Sequence, residues 1–492
     1  HLIRYTRKST PFVMIFLYSC TFKAYISYTR TSYRIHTAKF QLFYFNISML
    51  GGLYMRIQYK CQDGHLEMLF YPNEDEGIFI NKEKTKTILM NNHSCKFILP
   101  KDWTLDHVHP DILALATILI IYPFSKKHIE LSIGVSSYFA DICKKIIKKE
   151  ISPVDTHLSP RVASHDAKMA LAYSGGVDST AALLLLPDNT SLFFVDRIIP
   201  DRLTSVYNKE SAYYAYDTLK NEGRSIYIAA TNFEYVRNPV GFPVDLACCI
   251  PALLLSDYDN IDSIATGMIL ESAYGIGHEN FKDYPSTWHY SVWGTLFKAV
   301  DLPLSLVTSG LSEVTTSHIV SHSKYANIAQ SCMRAKDKKP CMKCPKCIRK
   351  IMLDQTLAYG QIDDKLLQHF FSLSFAPDFF ASGTMHHQDV MTYITSHYHG
   401  NYEPMLLFKR RMGGDIMNVD FLERWYSPAL AVVKEKYHDF VKKRILTYIE
   451  PMTPGECQEV ASWDLSDFLQ SDDYKNTTEH LYKLLMSSKL KS

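Results

Sequence analysis

The chain has 492 residues, 47% of them apolar and 21% charged, the proportions of a folded protein long enough for about three domains. Its formal charge of +2 argues neither for nor against a nucleic-acid partner. No apolar run approaches the ~18 residues that span a bilayer, the best being 112–122, so no membrane association is expected.

Residues 1–54 form an atypical basic segment with seven Lys or Arg and no Asp or Glu. The chain does not begin with Met, whereas Met55 opens the strand-like MRIQYKC. Three readings stay open: upstream sequence outside the fold, an acid-poor targeting segment, or a genuine basic arm. Export is not expected, because the thiol cluster further on needs reduction. Without this segment the remainder carries 46 basic and 51 acidic residues, an excess of acid.

Residues 55–160 read as a small α+β domain. Short apolar runs alternate with turn pairs such as Asp63-Gly64 and Pro72-Asn73. A buried helix over 111–122 follows, then a strand and a Lys-rich helix over 128–149. The proline-containing stretch 151–166 reads as a linker.

Residues 165–331 read as repeated strand–helix units around 168–186, KMALAYSGGVDSTAALLLL. Strands are expected at 169–173, 191–195, 225–230 and 263–266, with helices between them at 207–220 and 246–255. That alternation implies a parallel sheet with ligands at the strand C-termini. The turn Ser174-Gly175-Gly176-Val177-Asp178-Ser179-Thr180 between strand and helix is an anion site. Glycines let backbone N–H groups approach an oxyanion, and the helix N-terminus adds about half a positive charge. Ser174, Ser179 and Thr180 can donate to a phosphate. Asp178 cannot, so its expected work is to hold Mg2+ or orient the loop. The plain alternative is a glycine turn before an ordinary helix. Asp196 and Gly267 end the second and fourth strands beside this loop and are expected near and beneath a nucleoside.

Residues 332–350 hold four of the 11 cysteines, Cys332, Cys341, Cys344 and Cys347, in the spacing C-x8-C-x2-C-x2-C. The other seven are scattered, which is reduced, cytoplasmic usage and not a disulfide framework. Four thiolates at loop spacings satisfy tetrahedral Zn2+ with no open position, and an iron–sulfur cluster could use the same ligands. Eight Lys or Arg between Arg334 and Lys350 suit nucleic acid, or simply offset the thiolate charge. Residues 351–492 read as mainly helical, with long helices over 425–449 and 464–485, and are expected to close an active site or hold a partner protein. His386, His387, His397 and His399 lack paired carboxylates at helical spacing and read as solvated or core histidines.

The loop at 174–179 resembles the Ser-Gly-Gly-x-Asp-Ser signature of the PP-loop ATP pyrophosphatases, and no Walker-type Gly-Lys-Ser/Thr is present. With the cysteine spacing, Thr266-Gly267 before Glu271, Tyr284-Pro285, Pro303-Leu304 and Ser331-Cys332, residues 168–350 resemble the 7-cyano-7-deazaguanine synthases. This resemblance implies an α/β fold with a parallel-sheet PP-loop (HUP-like) core and a four-cysteine zinc knuckle. It also implies a ligase of queuosine-precursor synthesis that uses ATP, Mg2+, ammonia and a deazapurine carboxylate. Three segments depart from the family. Its Asp-Tyr-Gly-Gln-Arg-His is Val195-Asp196-Arg197-Ile198-Ile199-Pro200 here, its Gly-Arg-Asn is Gly241-Phe242-Pro243-Val244-Asp245, and its Asp-Cys-Arg is Ser286-Thr287-Trp288. These are the positions expected to read substrate, so the substrate is expected to differ. The added terminal regions are similar to those of longer relatives in antiphage systems.

The implied chemistry is adenylation of a carboxylate with release of pyrophosphate, then attack by ammonia or an amine, with Asp178 and Ser179 in the catalytic roles. The alternatives are sulfur transfer to tRNA and a non-catalytic ATP-binding component of a defence system. Amidation needs no nucleophilic cysteine, and Cys248 and Cys249 read as core residues of an apolar helix.

Overall fold

Nine strands hydrogen-bond into one sheet in the computed structural model, which describes residues 54–81, 85–201, 207–337, 339–381, 383 and 385–489. The readings of the basic segment 1–54 lie outside these residues, Tyr54 apart. In chain order the strands are β1 (Met55–Gln62), β2 (His65–Tyr71), β3 (Ile78–Ile80), β4 (Thr87–Met90), β5 (Ser94–Ile98) and β6 (His128–Ser136). Then come β7 (Glu150–Asp155), β8 (Lys168–Ala172), β9 (Ser191–Arg197), β10 (Ile226–Thr231), β11 (Arg237–Asn238) and β12 (Ile261–Ala265). The large sheet runs β12-β8-β9-β10-β5-β2-β1-β6-β7, and β11-β4-β3 form a small second sheet. Five of the eight pairings in the large sheet are parallel.

The strands of 55–160 and of 165–331 therefore share one sheet, joined where β10 runs antiparallel to β5. Phe97 of β5 stacks on Phe233 at 5.9 Å, and Asn232 Oδ1 accepts from Lys96 N at 2.9 Å, closing the seam. The stretch read as a linker contributes β7 at the sheet edge. Pro153 obscured that strand, but at an edge its missing N–H costs no ladder bond.

The helices on the sheet side of the chain are α1 (Pro110–Ile121), α2 (Ser137–Ile146), α3 (Val177–Leu185), α4 (Glu210–Asn221), α5 (Ile250–Leu254), α6 (Leu270–Ala273), α7 (Trp288–Ala299), α8 (Glu313–Ser321) and α9 (Pro345–Tyr359). Eleven residues of α1 are buried, so it is apolar on every face, as a helix enclosed by other elements must be. It packs on β6 and α5. The C-terminal region is helical, as read: α10 (Asp364–Phe371), α11 (Ala376–Ala381), α12 (Gln388–Ser396), α13 (Glu403–Met412), α14 (His438–Ile445), α15 (Pro454–Ala461), α16 (Ser466–Gln470) and α17 (Asp472–Lys489). The long helix expected over 425–449 is instead two 3-10 turns, Ser427–Val432 and Glu435–Tyr437, followed by α14. Tertiary demand overrides periodicity there. Buried Asp262 accepts from Tyr437 Oη (2.9 Å) and Lys436 Nζ (2.8 Å), which bends the segment to reach it.

The half of the sheet that carries the glycine loop explains itself topologically. From β8 the chain steps to β9 and β10 on one side and returns to β12 on the other. A crevice opens at the strand C-termini where the order reverses, and α/β sheets bind ligands there.

Candidate active site

The loop after β8 lies at that reversal. Gly175 has φ +75°, a left-handed conformation that glycine adopts without strain, and Gly176 caps α3. Ser174 Oγ lies 3.1 Å from Ser179 Oγ, and Ser179 Oγ donates to Gly176 O at 3.0 Å, so the two hydroxyls tie the bend to the helix start. Thr180 is buried, with Tyr173 Oη at 3.3 Å. Gly267, at the end of β12, is set against the first turn of α3. A Cβ there would fall 2.7 Å from Ser179 N and 2.9 Å from Asp178 C. That close backbone approach accounts for a glycine at this position. Asp196 lines neither nearby cavity and pairs with Lys209 at 2.5 Å, while its neighbour Arg197 lines both.

The segment before the cysteines is stitched to the loop. Gln330 N donates to Gly175 O (2.8 Å) and Val177 N donates to Ser331 Oγ (3.2 Å). Cys332, Cys341, Cys344 and Cys347 then converge, with all four sulfurs within 4.8 Å of one another. Tetrahedral thiolates at about 2.3 Å from one Zn2+ stand about 3.8 Å apart. Cys341 and Cys347 sulfurs are 3.7 Å apart, so the set fits a single metal ion such as zinc. A four-iron cluster binds each thiolate to a different iron and needs a wider spread. Cys341 N donates to Cys332 Sγ at 3.4 Å, which favours the thiolate.

From this clip α9 begins, with Cys344 as N-cap and Pro345 in the first position, where its missing N–H is no loss. The helix carries three of the patterned cations toward the loop. Lys350 Nζ bridges Asp178 Oδ1 (3.2 Å) and Glu313 Oε1 (3.1 Å). Arg349 Nε reaches Glu313 Oε2 at 2.9 Å, and Lys346 lines the cavity beside Ser174 and Gly176. Thr316 Oγ1 also donates to Asp178 Oδ1 at 3.1 Å. Burial alone would push the Glu313 carboxyl up, but Lys350 and Arg349 outweigh it and hold it well below the usual range. Behind Glu313 sit Glu271, whose Oε1 accepts Glu313 N at 2.6 Å, and Asp389 of α12. Burial, then the carboxylates of Asp389 and Glu313, push the Glu271 carboxyl well above its usual range. Burial pushes Asp389 up to about 7, against the backbone N–H groups of Val390 and of Asp389 itself, which favour the charged form. His387, read from sequence as solvated or core, sits 3.3 Å from Glu313 with a left-handed backbone. Burial and the Arg349 guanidinium push its imidazole down to about 4.

Two cavities meet above the sheet. The smaller, about 250 Å³, is lined by Ser174, Gly176, Phe194, Cys248, Ser331 and Lys346 among others. The larger, about 930 Å³, is lined by Tyr122, Arg197, Phe242, Asp245, Trp288 and His289 among others. Arg197, Tyr207, Phe242 and Met333 line both. All three segments that depart from the resembled family therefore contribute to the lining of the larger cavity: Arg197 and Ile199, Gly241 to Asp245, and Trp288. Cys249 is buried as read, but Cys248 faces the smaller cavity.

Sequence reasoning placed the glycine turn between a strand and a helix and grouped the four cysteines that converge. It missed Glu313, Lys346, Lys350 and Asp389. The basic run 334–350 was visible, but nothing in one dimension shows that Arg349 and Lys350 turn inward to carboxylates while Lys346 lines the cavity.

Residues 292–464 match a family of unknown function (DUF6395), about a third of the chain, which includes the four cysteines and most of the C-terminal helices. No curated protein and no solved structure matches the chain. Among the described residues no helix is long and apolar enough to cross a membrane.

Proposed function

We propose that the protein is an ATP-dependent ligase of the PP-loop type, which adenylates a carboxylate and passes the acyl group to ammonia or an amine. One observation carries the reading: a Ser-Gly-Gly loop at the sheet's reversal point lines a cavity and is bound on both flanks to a four-cysteine metal clip. A carboxylate oxygen attacks the α-phosphorus, the bond to the bridging oxygen breaks, and pyrophosphate leaves. The amine nitrogen then attacks the acyl carbon, AMP departs with the bonding pair, and the nitrogen loses a proton. The chain's contribution is positioning and charge neutralisation. The loop N–H groups and Ser174 and Ser179 hold phosphate oxygens. Arg197, which lines both cavities with its charge paired to Glu234, is placed to donate its remaining N–H groups to a polar edge of the acceptor. Mg2+, when bound beside the phosphates, would be held by Asp178 and would offset their charge, one carboxylate plus substrate oxygens being a usual set for that ion. Zn2+ in the four-cysteine clip is structural, since four thiolates leave no open position.

The test is release of AMP and pyrophosphate from ATP by purified protein given deazapurine carboxylates and ammonia, with Asp178→Ala as the inactive comparison. No pyrophosphate with any carboxylate, despite ATP binding, would favour a non-catalytic nucleotide-binding role. A second reading, sulfur transfer to a nucleic acid, is favoured by Cys248 in the smaller cavity. It requires salt-dependent RNA binding and loss of activity in Cys248→Ser, which amidation does not.

A further inference from the structure

The loop lacks the lysine that a Walker loop carries, so a cation for the phosphates must come from elsewhere in the fold. Among the described residues two cations line the cavity beside the loop, Arg197 and Lys346. Arg197 is already engaged. Its Nε lies 3.2 Å from Glu234, and its guanidinium stacks 4.8 Å from the Tyr207 ring centroid. Lys346 keeps solvent-accessible surface at the cavity although crowding by protein pushes its ammonium pKa down; Asp178 and Glu313 favour its charge from beyond ion-pair distance.

Its position is costly by local rules. Lys346 is the second residue of α9, and the first turn of that helix has no acidic residue. A cation there opposes the helix dipole. The metal thiolates offset part of that charge. Yet Arg349 and Lys350, on the same stretch, already direct theirs to Glu313 and Asp178. Helical spacing places Lys346 and Lys350, four apart, on one face, with Lys350 anchored on Asp178 and Lys346 toward Ser174 and Gly176. The clip fixes where this face points, since Cys344 and Cys347 flank Lys346 and are two of its four ligands.

We infer that Lys346 is the phosphate-binding cation of this site and that the four-cysteine metal clip serves to hold it against the loop. The inference rests on the nucleotide reading above and adds to it a residue and a purpose for the metal. ATP, inorganic pyrophosphate and adenosine would be titrated against the wild-type chain, Lys346→Ala, Lys346→Arg and Lys343→Ala. Lys346→Ala should weaken ATP and pyrophosphate by about ten- to hundredfold and leave adenosine unchanged. Lys346→Arg should recover most of the loss, and Lys343→Ala, an exposed lysine outside the cavity lining, should bind as wild type. Removing the metal with a chelator should weaken ATP in the wild type and add little in Lys346→Ala. Equal losses for ATP and adenosine, an unchanged Lys346→Ala, or additive effects of chelation would overturn the inference. ATP binding that depends on Lys346 without pyrophosphate release would sink the ligase reading and leave this one standing. A wild-type chain that binds neither ATP nor pyrophosphate would sink both.

Discussion

Replacing Lys350 by methionine keeps the volume of the side chain and removes its charge. The side chain of Lys350 is 8% exposed and is held by Asp178 and Glu313, which are 25% and 1% exposed. Removing one member of a buried ion pair costs ~3–5 kcal/mol, because the partner's charge is left uncompensated. Asp178 keeps Thr316 and some solvent, and Glu313 keeps Arg349, so about 3 kcal/mol is the expectation at pH 7. The pH dependence supplies the sharper check. Glu313 has a folded pKa depressed by its cations, so its contribution is present above the unfolded value, about 4.3, and is lost as pH falls below it. In Lys350→Met that depression is smaller, so the wild type loses more stability on acidification than the variant does. The two curves run parallel until the pH falls below the variant's own folded value and converge from there, so urea denaturation is followed from pH 7 to about pH 2.5, well below the unfolded value of about 4.3. A variant as stable as wild type at pH 7, or a stability gap that is flat with pH, would refute the assignment of Lys350 as the bridge between loop and helix.

Asp389→Asn should be more stable than wild type at pH 8. The folded pKa of this buried acid is raised to about 7, so wild-type stability falls as pH rises from about 4 to about 7. The advantage should be on the order of 2–4 kcal/mol at pH 8 and vanish near pH 4 by the same denaturation assay, and a pH-independent difference would contradict it. Gly267→Ala must push backbone at Ser179 and Asp178, so a loss of ~1–3 kcal/mol is expected together with weaker ATP binding; unaltered melting and affinity would show that the contact gives easily. Cys344→Ser should lower bound metal from one ion per chain to a substoichiometric level, read by elemental analysis, and lower the thermal midpoint. Full retention of metal would exclude Cys344 as a ligand.

The loop and the cysteine clip were legible because their chemistry is local. A strand, a glycine bend and a helix start are contiguous, and four ligands within sixteen positions leave little for the fold to rearrange. The sheet was half legible. Parallel strands announce themselves as apolar runs, but the seam between β5 and β10 joins residues more than a hundred positions apart, with only Phe97 and Phe233 to mark it. The 425–449 stretch misled for the opposite reason. Its periodicity is helical, yet Asp262, buried at the strand before the crevice, draws Lys436 and Tyr437 out of that pattern. The charge cluster behind the loop was illegible in principle. Glu271, Glu313, Lys350 and Asp389 come from four separate elements, and each alone is an ordinary residue of its helix.

The same logic bears on what the larger cavity receives. Three segments depart from the resembled family, and they lie at 195–200, 241–245 and 286–288, far apart in the chain. Unconstrained drift in surface loops would scatter such departures. Here they line one cavity, with Trp288 and Phe242 supplying aromatic surface, Asp245 held by His289 at 3.0 Å, and Arg197 shared with the cavity beside the loop. Trp288 is 58% exposed, a large aromatic surface kept in water at a cavity mouth. The loop and the clip match the resembled pattern, while residues of the three departing segments line this one cavity. On the ligase reading proposed above, that combination is what retained phosphate chemistry with an altered acceptor requires; among the described residues Arg197, Tyr207, Phe242 and Met333 line both cavities. On that same ligase reading, the acceptor would be bulkier than a single fused ring system, to fill a chamber of about 930 Å³ beside one of about 250 Å³.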